Sequence, residues 1–318
     1  MKTTGLLILL AMGLITLTAC GSNADSGATD NSEAVLSERS RDCADHAGSS
    51  YALVQDIQRA LGFESDVSIE AEDSLCVLVS NNIPNHDFND ESARFATDVA
   101  EVGQSFEISR SPALAEQPTP LRQQTYDAVL LNGVPVDLLS AGCFQPEDPR
   151  ADANGDVPAG CGIDSAWLLD PLGAGDFFGH DAHNAHTQPD GSYHYHGSPK
   201  ALFDDSPGAE GSPVIGFAAD GFPIYGSYFV DDEGSLRKAL SGYSLKSGTR
   251  PESAEDPGGT YTGRYIQDFE FTDSGDLDAC NGMSVDGQYG YYVTDSYPWI
   301  LGCLSGTPDP SFEKGAPQ

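Results

Sequence analysis

Thirty-five glycines and twenty prolines interrupt a chain of 318 residues. Glycine weakens helix interiors through backbone entropy and proline through its missing N–H, so strands and turns are expected to dominate. Between the breaks lie short runs of β-branched, aromatic and aliphatic residues: Leu75 to Ser80, Tyr126 to Leu131, Val214 to Ala218, Tyr261 to Phe271 and Tyr289 to Thr294. Runs of this kind, bounded by Gly, Pro, Asp and Asn, read as strands of a mainly β, antiparallel and loop-rich fold with a few short helices. One helix is expected over Ser50 to Phe63, where Leu53, Val54, Ile57 and Leu61 recur at helical spacing and Gly62 stops the run, and another over Ser235 to Leu240. The topology does not follow from the sequence.

The first residues carry Lys2 and an uncharged apolar stretch from Leu6 to Leu17, ending in Leu17-Thr18-Ala19-Cys20. That stretch is too short to span a bilayer and has the outline of an export signal. Its last four residues resemble a bacterial lipobox, which implies that residues 1–20 are a lipoprotein signal and that Cys20 is lipidated and anchors the protein to a membrane. Gly21 stands where an aspartate would indicate retention at the inner membrane, so the cell envelope, at the outer membrane and facing periplasm or surface, is the expected location. From residue 21 to 41 the chain is small and polar and is expected to be a flexible acidic tether; residues 307–318 are expected to be a disordered tail. What remains, residues 42–306, suits a single domain.

Six cysteines follow Cys20, and an even number in an exported chain points to disulfides. Short loops close most readily, which favours Cys43 with Cys76, Cys143 with Cys161 and Cys280 with Cys303 over the other connectivities. No Cys-x-x-Cys pair argues for a thiolate metal site.

Forty-nine acidic against fifteen basic residues give a net charge of −34, spread along the whole chain. Nucleic acid and anionic lipid surfaces are repelled by such a chain, so no nucleic-acid partner is expected. The charge draws cations towards the surface and also serves solubility in salty water.

Five of the seven histidines fall within seventeen residues, His180, His183, His186, His194 and His196. In an extended strand His194 and His196 share one face and Tyr193 and Tyr195 the other. The turn Gln188-Pro189-Asp190-Gly191 brings His186 back beside them. Neutral imidazole is the commonest metal ligand, so His186, His194 and His196 are the first candidates for a metal site; a Tyr/His ladder holding a sheet is the competing reading. His180 and His183 either form an adjoining site with Asp181 or decorate a loop. Three histidines and an open position suit zinc or copper.

The run Asn184-Ala185-His186-Thr187-Gln188-Pro189-Asp190-Gly191-Ser192-Tyr193-His194-Tyr195-His196-Gly197 resembles the signature of the bacterial YHYH domain family. Ser80 to His86, Leu131-Asn132-Gly133-Val134-Pro135, Ile215 to Gly226, Gly275 to Gly282 and Tyr291 to Asp295 resemble further segments of that family, so the resemblance runs from about Val77 to Cys303. It implies a fourth ligand, His86, from the other histidine-bearing family segment, unless that residue caps a turn, and it implies no particular activity. A late Tyr-His-Tyr common in the family is Tyr289-Gly290-Tyr291 here, which removes a second cluster.

Asp220 and Asp278 are the candidate bases if the metal activates water, although aspartates in such turns more often cap backbone amides. Asp152, Asn154 and Asp156 place oxygens at alternating positions, as in a calcium loop, but Val157, Pro158 and Ile163 exclude a full EF-hand. No nucleophile elbow, phosphate loop or dinucleotide fingerprint occurs. Three functions follow as expectations: metal binding by a lipid-anchored protein, metal-dependent hydrolysis at the same histidines, or a structural or adhesive module taking calcium.

Overall fold

The computed structural model describes residues 27–315, so the expected signal over residues 1–20, with Cys20, and the last three residues lie outside the described part. Two sheets carry the molecule. The first contains β1 (Thr29–Asp30), β2 (Gly48–Asp56), β3 (Leu61–Ala71), β4 (Leu75–Ser80) and β5 (Gln104–Ser109) in that order, antiparallel except at β1. Its inner face is set by strict alternation: Ala52 and Val54, Val67 and Ile69, Cys76 and Leu78, Phe106 and Ile108 are buried.

The helix expected over Ser50 to Phe63 is instead the β2–β3 hairpin. Leu53, Ile57 and Leu61, which make the helical pattern, are 63%, 44% and 48% exposed, and the buried positions follow a period of two. Asp56 closes the turn by accepting from the Arg59 amide (3.0 Å) and guanidinium (2.7 Å). Leu53→Glu is therefore expected to change unfolding free energy by less than about 0.5 kcal/mol in urea titrations, where a core position would lose several times that. The helix expected at Ser235 to Leu240 is likewise a strand, Leu236–Lys238, paired with Tyr228–Val230. Only short 3₁₀ turns occur among the described residues, and none of their helices is long and apolar enough to cross a membrane.

The second sheet holds β6 (Ala128–Leu130), β7 (Pro135–Val136), β8 (Ala185–Thr187), β9 (Tyr193–Tyr195), β10 (Val214–Ala218), β11 (Pro223–Tyr225), β12 (Gly282–Val285) and β13 (Gln288–Tyr292). Their spatial order is β8-β9-β7-β6-β10-β11-β13-β12. The sheet is mixed, because β9 runs parallel to β7 and β11 parallel to β13. Gly133 turns the β6–β7 hairpin at φ +79°, and its missing Cβ admits Ser80 of the first sheet, whose Cβ would lie 2.5 Å away. Ser80 Oγ donates to the Gly133 carbonyl (2.7 Å), and one core draws on both sheets.

Three disulfides join Cys43 to Cys76, Cys143 to Cys161 and Cys280 to Cys303, closing loops of 33, 18 and 23 residues. Each restricts the unfolded chain by about 3–4 kcal/mol in the chain-entropy account.

At both ends the described residues lie along the protein. From β1 onward the segment before residue 41 lies along the protein: the Glu33 amide donates to the Asn85 carbonyl (2.7 Å), the Leu36 amide to the Leu202 carbonyl (2.8 Å), and Glu38 accepts from the Val214 amide (3.0 Å). Backbone pairing, which composition does not report, holds it there. At the other end Phe312 is wholly buried against Phe106, and Lys314 Nζ meets buried Asp137.

Candidate metal centre

The turn foreseen before β9 forms, with Gly191 at φ +90° and the Asp190 carboxylate accepting from the Ser192 amide (3.0 Å) and hydroxyl (2.7 Å). It sets β8 and β9 antiparallel with His186 directly opposite His194. A cross-strand pair shares a face, as do positions two apart on one strand, so His186, His194 and His196 converge. His196 Nε2 lies 2.9 Å from His194 Nε2 and 3.0 Å from His186 Nε2. His180, from the loop before β8, stacks on His186 with ring centroids 4.9 Å apart.

Two overlapping sets describe the same place. The ligand atoms of His180, His186 and His196 lie mutually within 4.8 Å, while the ring-nitrogen contacts link His186, His196 and His194. His186, His194 and His196 make the closer contacts, and His180 is the neighbour completing a group of four.

The protonation pattern favours a cation. His186 Nδ1 is 2.7 Å from the Phe178 carbonyl, which can only accept, so Nδ1 carries the proton and Nε2 presents its lone pair to the cluster. An oriented imidazole of this kind is the usual outer support of a metal ligand. Burial pushes all four rings below the ordinary histidine range: His180 to about 3, His194 and His196 well below that range, and His186 in the same direction. All are neutral at pH 7, the form that binds metal. One proton on His196 Nε2 cannot make two ordinary hydrogen bonds at once, whereas a cation among the three nitrogens takes a lone pair from each. His180 Nε2 is buried without a hydrogen-bond partner among the described residues. The triad His180, His186 and His196 could thus hold a metal ion.

His86 does not join them. It lies across β9, on the tyrosine face, where its Nδ1 donates to the Asp87 carbonyl (2.7 Å) and its Nε2 accepts from the Tyr195 hydroxyl (2.6 Å). Tyr195 accepts in turn from Asn132 Nδ2 (3.0 Å), so both ring nitrogens of His86 are engaged. Asp181 and His183 sit on this face too: Asp181 accepts from Tyr193 (2.7 Å), and the His183 ring lies 3.9 Å from that of His86. Asn82 brackets Tyr193, accepting from its amide (2.6 Å) and donating to its carbonyl (2.9 Å). One strand therefore separates two layers: tyrosines bolted into the protein and histidines converging on one point. Tyr195→Phe leaves His86 Nε2 without its buried partner and Asn132 Nδ2 with Asn85 alone (3.3 Å), and is expected to cost about 1–3 kcal/mol in chemical unfolding while metal stoichiometry stays unchanged.

The other sequence candidates are occupied elsewhere. Asp220 accepts from the Tyr291 hydroxyl (2.6 Å) and the Gly306 amide (2.8 Å). Asp278 accepts from the Cys280 and Gly282 amides (2.9 and 3.0 Å) just before β12, the sheet edge farthest from β8. Both act as turn caps. Asp152 accepts from the Asn154 and Asp156 amides (2.8 and 2.9 Å), and Asp156 from Arg264 Nε (2.6 Å) and Tyr265 (2.7 Å); the cation both carboxylates face is the Arg264 guanidinium, whose Nη2 lies 4.0 and 2.5 Å from them. At Gly290 a Cβ would come within 2.7 Å of the Tyr225 ring, which leaves no room for the histidine absent there.

Sequence reasoning missed the Phe178 carbonyl, which has no residue signature, and the roles of Asn82 and Asn132, although both lie in the segments that drew attention. It also missed Asp170, whose carboxyl burial pushes up to about 6 beside Trp299 Nε1 (3.1 Å), at an apolar cavity of about 320 Å³.

A family model described as YHYH protein matches residues 105–306. The chain belongs to the YHYH protein family. No curated protein and no solved structure matches it. The YHYH motif that defines the family is here β9 with the residue following it, so its alternating letters are the two layers: Tyr193 and Tyr195 inward to the first sheet, His194 and His196 to the cluster.

Proposed function

We propose that this YHYH protein captures a transition-metal ion at the cell envelope through His186, His194 and His196, with His180 as the fourth ligand. The carrying observation is the meeting of three Nε2 atoms at 2.9 and 3.0 Å, one of them oriented by the Phe178 carbonyl. Supporting it, His180 and His186 keep partial exposure while His194 and His196 are buried, which leaves an approach for an ion from one side. A net charge of −34 raises the local concentration of cations.

Export and lipidation at Cys20 complete the reading: cysteines joined in disulfides fit an oxidising compartment. Capture is favoured over hydrolysis because the acids available as bases, Asp220 and Asp278, are engaged as turn caps. Elemental analysis of protein purified without a metal-affinity step is the test, with one transition metal per chain expected. Protein that stays metal-free after incubation with zinc and with copper would overturn the proposal. For the anchor, Cys20→Ser should move the protein from the membrane to the soluble fraction on fractionation.

A further inference from the structure

We infer that the histidine cluster is a tetragonal, all-imidazole site that selects Cu(II) over Zn(II). The inference rests on the metal-binding reading above and adds the identity of the ion. Its first support is angular. With metal–nitrogen bonds of about 2.0–2.1 Å, the tetrahedral arrangement zinc adopts sets ligand nitrogens about 3.3 Å apart. The two contacts made by His196 Nε2 are 2.9 and 3.0 Å. At the same bond length these separations subtend about 90° at the ion, the angle between neighbouring ligands of a square-planar or tetragonal centre.

The backbone holds those separations. His194 and His196 are two residues apart on a paired strand, His186 is the register partner of His194, and the His186 ring is tied to the Phe178 carbonyl. Opening the group to tetrahedral spacing would require the buried His194 and His196 rings to turn, and on the His186 side the Phe178 bond to shift.

The third support is ligand chemistry. Cys43, Cys76, Cys143, Cys161, Cys280 and Cys303 are all in disulfides, so none of them offers a thiolate. Asp181, the nearest acid in sequence, turns to the tyrosine face and accepts from Tyr193. What remains is imidazole, a ligand for which affinity rises to a maximum at Cu(II) and falls again at Zn(II). His180, within 4.8 Å of His186 and His196 at the ligand atoms, supplies the remaining equatorial or axial nitrogen.

The test uses the full chain, purified without a metal-affinity step, stripped with a chelator and offered equimolar Cu(II) and Zn(II). Copper should be retained over zinc by about tenfold or more, with an axial electron paramagnetic resonance spectrum carrying hyperfine structure from at least three imidazole nitrogens. That signal should vanish in His194→Ala/His196→Ala protein; persistence would overturn the assignment. Retention of zinc at parity or better, or an intense visible spectrum of tetrahedral form from the Co(II)-loaded wild type, would overturn the copper inference and leave metal binding standing. Retention of neither ion would overturn both.

Discussion

Replacing His196 with alanine should abolish stoichiometric metal binding, with a loss of affinity of at least about 100-fold for zinc or copper measured by calorimetric titration. Outer-shell partners alone are worth about 10–100-fold, and His196 is the nitrogen that touches both of its neighbours, so its removal takes away the ligand that links His186 to His194. The fold should survive. His196 Nδ1 is buried without a hydrogen-bond partner among the described residues, so truncation removes an unsatisfied polar atom along with the packing it loses. His86→Gln should behave in the opposite way, weakening the protein and leaving metal affinity within about threefold, because His86 faces Tyr195 across the strand. Equal metal loss in both variants would show that the two faces of β9 are not separate in function.

That separation was half legible in the sequence. Strand alternation and the Asp190-Gly191 turn were enough to place His186, His194 and His196 together, since a period of two and a tight reversal are local properties. Which ring came fourth was not. Grouping His86 with the metal face followed from its place in a histidine-bearing segment, whereas its partner is Tyr195, 109 residues away, and only the packing of the first sheet on the second decides that. The hairpin at β2–β3 failed for a related reason. Leu53 points outward from β2, Ile57 lies in the turn and Leu61 at the turn end of β3, and exposed apolar residues imitate a helical stripe when burial is unknown. Phe312 and Lys314 were invisible because a short tail holds too few residues to show a period, yet one aromatic and one charge suffice to dock it. Disulfide pairing was legible because loop closure depends chiefly on separation along the chain.

Acid should unfold the metal-free protein through its buried neutral histidines, and His86 gives the sign and the size. Its pKa is pushed down to about 3 by burial, then by the neighbouring His183. An unfolded chain protonates this ring below about pH 6.5 and the folded protein only below about 3, so the stability it supplies is whole above 6.5 and is lost as pH falls through that window. At about 1.36 kcal/mol per unit, the loss by pH 4.5 is about 3 kcal/mol for this ring. His180, His186, His194 and His196 shift in the same direction and add to it. Asp170 works the other way. Burial raises its carboxyl to about 6, so its contribution is present at low pH and is lost as pH rises through 6. Urea unfolding of metal-free protein at about pH 7 and 4.5 separates the two. Wild type should weaken on acidification, His86→Gln should weaken by about 3 kcal/mol less, and Asp170→Asn by about 2 kcal/mol more. A His86→Gln protein with the pH dependence of the wild type would mean that the ring takes up its proton in the folded state. The bond from Tyr195 to its Nε2 would then have to reverse, the ring donating to a hydroxyl oxygen that already accepts from Asn132.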